Sequence, residues 1–156
     1  MKNKSASYLW CLISFLIVPV LSLPVVTWAE DEVVKYFVSG NDYSQKGDFK
    51  KAIEAYQTAI KIDKTKPDIH YNLGNVYIAS ATGKTAQADI EKAIKEYQTA
   101  IDLNPLNPDY HRNLGYAYAL NQKGDMSKRK YEELKKMSPA HAEELMSWIK
   151  RDNKKK

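Results

Sequence analysis

The sequence predicts an all-α fold, a stack of helix-turn-helix units, and three observations support this prediction. The first is internal repetition: residues 67–79 (PDIHYNLGNVYIA) recur as 108–120 (PDYHRNLGYAYAL), and 52–63 (AIEAYQTAIKID) recur as 93–104 (AIKEYQTAIDLN). The second is the spacing of apolar residues at i, i+3 and i+4 within each copy, which is typical of helices. The third is the position of the prolines between the copies, since proline breaks the interior of a helix but is tolerated in its first turn.

The basic period of the repetition is 34 residues. The two pairs of copies above are 41 residues apart, but Gly40 precedes Gly74, and Tyr43 precedes Tyr77, by only 34. The middle unit has seven extra residues between Tyr77 and Ala93, and the segment 81–88 (ATGKTAQA) fits as the place of this insertion. Three units result, at 33–66, 67–107 and 108–141.

This pattern resembles the tetratricopeptide repeat, whose 34-residue signature is W-x2-L-G-x2-Y…A-x3-F…P. The matching columns hold Gly40, Gly74 and Gly115; Tyr43, Tyr77 and Tyr118; Ser39, Leu73 and Leu114; Ala52, Ala93 and Ser127; Tyr56, Tyr97 and Tyr131; Ala59, Ala100 and Leu134; and Lys64, Pro105 and Pro139. The usual Trp is replaced by Tyr36, His70 and His111. The resemblance covers residues 33–141, and the first and third units deviate from it most. It implies a right-handed superhelical stack, an α-solenoid.

Two features predict how the units pack. Gly74 and Gly115 are expected in the middle of helices, where glycine costs about 1 kcal/mol relative to alanine. We therefore predict that two helix backbones approach each other closely at these glycines. Residues 139–152 carry a further apolar stripe and resemble the helix that caps such arrays. Because each hairpin buries its face only against neighbours, about three units are needed for stability.

The N-terminal segment 1–29 has the pattern of a secretory signal peptide. Two lysines precede an apolar region at 8–18, and cleavage is predicted after Ala29. An uncleaved membrane anchor over 8–29 is the alternative, because that segment is uncharged and long enough to cross a bilayer. In either case we expect the rest of the chain to be exported, to the periplasm or outside the cell.

Charge and cysteine content exclude several classes of function. The net charge of +5 is spread over interspersed acidic and basic residues, apart from a basic tail at 153–156. A nucleic-acid-binding face would need clustered basic residues, so no nucleic-acid partner is predicted. The only cysteine is Cys11, inside the predicted signal peptide. Disulfides and thiolate chemistry are therefore not expected after cleavage.

The resemblance implies a concave groove, lined by the first helix of each unit, in which a partner peptide or helix lies. The residues expected to line it are Phe37 and Asn41 in unit one; Tyr71, Asn72, Asn75 and Ile78 in unit two; and Arg112, Asn113, Tyr116 and Ala119 in unit three. Aromatic side chains offer contact area at low entropic cost. Asn72 and Asn113 could each pair with a backbone amide of the partner, because an asparagine side chain both donates and accepts.

One subtype of this family clamps the C-terminal carboxylate of cytosolic chaperones with Lys, Asn and Arg side chains. Asn41 and Asn72 match that arrangement, but Phe37 and Asp109 stand at the Lys places and Asn113 stands at the Arg place. We therefore expect no carboxylate clamp here. The predicted ligand is apolar and aromatic rather than acidic.

The sequence indicates no catalytic, cofactor-binding or metal-binding site. Residues 83–85 (GKT) resemble the end of a phosphate-binding loop, but the motif needs a glycine where Ile78 stands. His70 and His111 belong to different units and are expected to be core histidines rather than metal ligands. No nucleophile is paired with a base, so the protein is predicted not to be an enzyme.

Two functions fit these observations. The first is an interaction adaptor of the cell envelope that binds a partner protein in the groove. The second is a self-assembling structural protein, a homo-oligomer in which the groove takes a helix of a neighbouring copy.

Overall fold

The computed structural model describes residues 25–153, with side chains described from 29 to 151, and this part of the chain contains seven α-helices and no strand. The helices are α1 (Val25–Gln45), α2 (Phe49–Ile62), α3 (Pro67–Ser80), α4 (Ala86–Leu103), α5 (Pro108–Leu120), α6 (Gly124–Met137) and α7 (Pro139–Asn153). Each helix packs on the next one in the chain, and α1, α3, α5 and α7 also contact one another in succession. The predicted all-α stack of hairpins is confirmed, with α1, α3, α5 and α7 forming one continuous row.

Turns and helix starts follow local backbone chemistry. Gly47 has a φ of +75°, a left-handed conformation that glycine adopts without steric cost. Asp48 then caps α2, because its carboxylate accepts a hydrogen bond from the backbone N–H of Lys51 at 3.3 Å. Pro67 and Pro108 begin α3 and α5, where the missing N–H has no partner to lose.

The main core extends from α1 to α5 and is built from the small and aromatic columns of the repeat. The alanines of the small-residue columns on α2 and α4 are completely buried: Ala52, Ala59, Ala93 and Ala100. The column tyrosines Tyr56 and Tyr97 are 1% and 2% exposed. The small side chains let the helices lie close together, and the tyrosines fill the space between them.

The mid-helix glycines accommodate a side chain rather than a second backbone. A Cβ atom on Gly40 would lie 2.5 Å from Cε1 of Tyr56, and one on Gly74 would lie 2.7 Å from Cε1 of Tyr97. The prediction of a backbone-to-backbone approach was therefore wrong. A flat phenol ring from the second helix lies against the first helix, in the space that a Cβ would occupy.

Unit three fills the corresponding space differently. The atom that a Cβ on Gly115 would meet is Cδ2 of Leu145, at 2.6 Å, and Leu145 belongs to α7. Tyr131, the tyrosine of this unit's column, is only half-buried. A second, separate cluster forms here from Leu134, Ala142 and Leu145. Unit three therefore depends on α7 for a side chain that units one and two supply themselves.

The seven-residue insertion lengthens the second helix of unit two. Helix α4 has 18 residues, whereas α2 and α6 have 14 each. The segment before α4 contains a single 3-10 turn at Gly83–Thr85, and Gly83 has a φ of +57°. The GKT sequence is thus a turn between helices, as predicted.

Both chain ends extend past the described residues. Helix α1 begins at Val25 rather than near residue 33, so the last residues of the predicted signal peptide are helical and the rest lie outside the described part. Among residues 25–153, no helix combines the length and apolar character needed to cross a bilayer. Cleavage after Ala29 and the alternative anchor at 8–29 remain predictions. Only Asn153 of the basic tail is described.

Candidate binding groove

All ten residues predicted to line the groove lie on the row formed by α1, α3 and α5, and all ten are half-buried. They are Phe37 and Asn41 on α1; Tyr71, Asn72, Asn75 and Ile78 on α3; and Arg112, Asn113, Tyr116 and Ala119 on α5. Half-burial means that each side chain rests on the row with one side and presents the other to solvent. Phe37, Tyr71 and Ile78 also pack against the main core, so the row is partly core and partly surface.

An asparagine pair lies at the first joint, where unit one meets unit two. Tyr56 donates its phenol hydrogen to Oδ1 of Asn41 at 2.6 Å, and Nδ2 of Asn72 donates to the same oxygen at 3.1 Å. These bonds hold both amides in place. Asn72 retains its carbonyl oxygen and a second N–H for another partner.

The same arrangement repeats at the second joint, where unit two meets unit three. Tyr97 donates to Oδ1 of Asn75 at 2.7 Å, and Nδ2 of Asn113 donates to that oxygen at 2.8 Å. Asn113 also donates to the phenol oxygen of Tyr71 at 3.1 Å. The amide hydrogens of Asn113 are therefore used within the chain, and its Oδ1 already accepts from Nε of Arg112 at 3.4 Å, which leaves one acceptor site.

The two buried phenols are the donors of these bonds. Burial raises the pKa of Tyr56 to about 12, and burial also raises the pKa of Tyr97, so both phenols keep their protons at neutral pH. Asn41 and Asn75 present their carbonyl oxygens to the tyrosines, and each of these oxygens also accepts from the amide of a second asparagine.

A polar cavity of about 250 Å³ opens at the first joint. The residues that line it are Asn41, Ser44, Gln45, Tyr56, Asn72 and Asn75. Because its walls consist of amides and hydroxyls, it is suited to a hydrogen-bonding group such as a peptide bond.

Aromatic rings surround the two groove tyrosines. The ring centroid of Tyr71 lies 5.9 Å from that of Tyr97 and 5.0 Å from that of Tyr110. The centroid of Tyr116 lies 5.1 Å from that of Trp148, which α7 contributes. Both tyrosines are therefore held in position by ring packing.

Arg112 is neutralised within the chain. Its Nη2 lies 2.7 Å from Oδ1 of Asp109, and its Nη1 donates to Oε2 of Glu144 on α7 at 2.8 Å. Its side chain is only 18% exposed. Its positive charge is thus already balanced by two carboxylates rather than available to an acidic ligand.

The two column histidines are buried, as predicted, and hold the linkers between units. Nε2 of His70 lies 3.1 Å from the carbonyl oxygen of Lys64, and Nε2 of His111 lies 2.9 Å from that of Pro105. Nδ1 of His70 also lies 2.7 Å from Oε2 of Glu96, and this hydrogen bond raises the pKa of His70 against the opposing effect of burial. Within residues 25–153, no group of three or more His, Cys, Asp or Glu side chains is placed to hold a metal ion.

The structure places α7 at the end of the row of candidate groove helices, which the sequence did not predict. Trp148 and Glu144 contact Tyr116 and Arg112 from the end of the row. A signal was present, since α7 follows α6 as α3 follows α2 and so takes the place of another first helix.

Comparison with known proteins supports this description. A family model described as TPR repeat matches residues 40–80 and 85–122, about half of the chain. No curated protein sequence matches.

Solved structures of similar fold include the first TPR domain of Spaghetti (RPAP3) bound to the HSP90 peptide SRMEEVD, at 20% identity and a TM-score of 0.66, covering 78% of this chain and 93% of that one. The second TPR domain of human RPAP3, in complex with the HSP70 peptide SGPTIEEVD, is 22% identical with a TM-score of 0.69, covering 78% and 98%. The Sgt2 TPR domain from Aspergillus fumigatus is 22% identical with a TM-score of 0.65, covering 79% and 80%. These similarities establish the fold.

Proposed function

Because the chain belongs to the tetratricopeptide-repeat family, we propose that it is a non-catalytic interaction adaptor that binds a partner peptide or helix along the row of α1, α3 and α5. The observation that carries this proposal is the pair of tyrosine-anchored asparagine arrangements at the first and second joints. Amides fixed in advance lose little conformational entropy when a partner binds. They lie beside half-buried aromatic side chains that supply apolar contact area.

The ligand is an apolar and aromatic peptide segment, rather than an acidic one, and its backbone N–H and C=O groups are free to form hydrogen bonds. Two of the similar domains were solved with peptides ending in EEVD. In this chain the cation of the groove, Arg112, is already paired with Asp109 and Glu144, so it offers little attraction to a carboxylate. Phe37 and Tyr71 provide rings instead, and Asn72 offers hydrogen bonds for a peptide backbone.

The proposed site of action is the cell envelope. This part of the proposal depends on the sequence pattern of 1–29 alone, most of which lies outside the described residues. N-terminal sequencing of the native protein would test it, since a mature chain starting at Glu30 is expected. A native chain that retains its N-terminus and stays in the cytoplasm would contradict export.

Site-directed photo-crosslinking in cells tests groove binding directly. A photoreactive residue at Asn72, in the groove, should crosslink to a discrete partner, whereas one at Lys95, exposed on α4, should not. The double variant Tyr71→Ala with Tyr116→Ala should lose the Asn72 crosslink while its helix content, measured by circular dichroism, stays unchanged. Equal crosslinking from both positions, or loss of the crosslink only together with helix content, would contradict a groove role.

Self-assembly is the second candidate, and one observation favours it. Val34 and Val38 on α1 are 57% and 49% exposed, so the first helix carries two uncovered apolar side chains. Light scattering coupled to size-exclusion at two concentrations separates the candidates. Growth in mass with concentration would favour self-assembly, and a persistent monomer would favour a foreign partner.

A further inference from the structure

A second cavity lies at the third joint, where unit three meets α7. Its volume is about 450 Å³, and it opens between the end of α5, the turn at Gln122, residues 124–132 of α6 and the second half of α7. Ala119, Tyr131, Met146 and Ile149 supply its apolar wall. It is therefore both larger and more apolar than the cavity of about 250 Å³ at the first joint.

The two cavities share two equivalent positions of the repeat. Ala119 is the counterpart of Ser44, and Tyr131 is the counterpart of Tyr56, with both pairs 75 residues apart. Ala119 is also one of the predicted groove residues on α5. The apolar cavity therefore borders the candidate groove at Ala119, two joints along from the polar cavity.

The third joint has this space because its column tyrosine, Tyr131, does not lie against the glycine of the first helix. In units one and two, the column tyrosine lies against the glycine of the first helix. In unit three, Leu145 takes that place, and Tyr131 remains half-buried as a wall of the cavity. The small residues Gly124 and Ser127 also border the cavity, so no large side chain enters it from these two positions of α6.

The charges at the cavity indicate an uncharged occupant. Lys128 and Glu132 line it with one charge of each sign, one helical turn apart on α6, and Glu132 also pairs with Lys135 at 3.4 Å. A cavity of a few hundred Å³ with apolar walls and a few polar groups is typical of a binding pocket. Burial of an apolar side chain in this cavity would be favourable, whereas burial of an ionised side chain would be unfavourable because the charge would lose its hydration.

The geometry points to this cavity as the anchor pocket for one large apolar side chain, of the Leu, Met or Phe class, carried by the partner peptide. The polar cavity at the first joint takes a hydrogen-bonding part of the same peptide. This inference rests on the proposed groove function and adds its specificity: one obligatory apolar residue at the α7 end of the groove.

A random 12-residue peptide library displayed on phage provides the probe. Selection against the full chain should yield peptides that share one apolar position. For a fluorescently labelled selected peptide, replacing that residue by alanine should weaken binding about 10-fold or more, measured by anisotropy. The variant Ala119→Phe fills the pocket and should weaken the binding of the unsubstituted peptide by a similar factor. In Ala119→Phe, the alanine-substituted peptide should show no further loss.

The matched control is Ser44→Phe, the same change at the equivalent position of the polar cavity. There, the penalty for removing the apolar residue from the peptide should remain as large as in the wild type. Should Ala119→Phe fail to fold by circular dichroism, Met146→Ala provides a second test, because the enlarged pocket should shift selection toward Trp.

The outcomes separate this inference from the function on which it rests. The anchor pocket would be overturned if alanine substitution of the apolar residue weakened peptide binding as much in Ala119→Phe as in the wild type. The groove function would still stand in that case if the Tyr71→Ala, Tyr116→Ala variant no longer bound the peptide. Recovery of no peptide, or peptides indifferent to both sets of variants, would overturn both.

Discussion

In units one and two, a side chain of the same unit covers the glycine of the first helix, whereas in unit three that side chain comes from the following helix, α7. Tyr56 and Tyr97 lie against the glycines of their own first helices. In unit three the corresponding glycine, Gly115, receives Leu145 from α7, and Tyr131 is half-buried. A repeat can therefore keep the same glycine while changing the side chain that covers it.

The difference extends to the hydrophobic core. The buried residues from α1 to α5 form one cluster, and the contact of α6 with α7 has a separate small cluster. In a stack of repeats, each interface contributes its own share of stability. The third joint, with a small core and an unfilled cavity, should be the weaker and more adaptable end. The predictions that follow compare the two ends directly.

The largest expected contrast is between two tyrosines of the same column. Tyr97→Ala should lower the free energy of unfolding by about 4 kcal/mol, because it empties a fully buried site. Tyr131→Ala should lower it by about 1 kcal/mol, because that ring is half-exposed beside an existing cavity. Urea denaturation followed by circular dichroism measures both values. Similar losses would mean that the two ends are packed alike.

A smaller contrast is expected between two glycines. In Gly74→Ala the new Cβ would meet the buried Tyr97 ring at 2.7 Å, so a loss of about 2 kcal/mol is expected even after the gain in helix propensity. In Gly115→Ala the new Cβ would meet both δ-methyls of the buried Leu145, at 2.6 and 3.2 Å. An aliphatic side chain repacks more readily than a ring, so a smaller loss of about 1 kcal/mol is expected.

Thermal and urea unfolding of both glycine variants gives the comparison. A loss at Gly115 as large as that at Gly74 would show that Leu145 is held as firmly as the tyrosine ring.

The smallest expected effect is a pH dependence that arises in unit two. Hydrogen bonding to Glu96 raises the pKa of His70 in the folded state, so the folded protein binds the proton more tightly than the unfolded one. The stability due to this pair is complete below the unfolded pKa of about 6.5 and is lost as pH rises through the higher folded value. Unfolding free energies measured between pH 6 and 9 should decline with pH.

Two variants isolate this contribution. Glu96→Gln removes the charged acceptor and should flatten the decline, and His70→Gln should flatten it as well. A decline of the same size in both variants as in the wild type would assign the pH dependence to other groups.

The placement of the candidate groove residues on the first helices could be predicted because the repeat period assigns each residue to a helix and a face. Knowing the 34-residue step is enough to place Asn41 and Asn75 at equivalent points on successive first helices. The mutual bonds of the asparagines could not be predicted in this way. They depend on the distance between neighbouring helices, which places Asn72 within 3.1 Å of Asn41.

The role of Arg112 also needed the tertiary structure. Its partner Asp109 is one turn away on the same helix, but Glu144 lies 32 residues further along the chain. Whether that charge faces a ligand or an internal carboxylate depends on where α7 packs, and no local pattern specifies this.

The hairpin stack could be predicted from the sequence, because helical spacing, prolines and the glycine and tyrosine columns recur at a set interval and act locally. The packing between helices specifies which side chain covers each glycine, which amides are already paired, and where a cavity remains. Those outcomes depend on how side chains from different helices compete for the same volume. As a result, Leu145 occupies the space beside Gly115, and a cavity remains beside Tyr131.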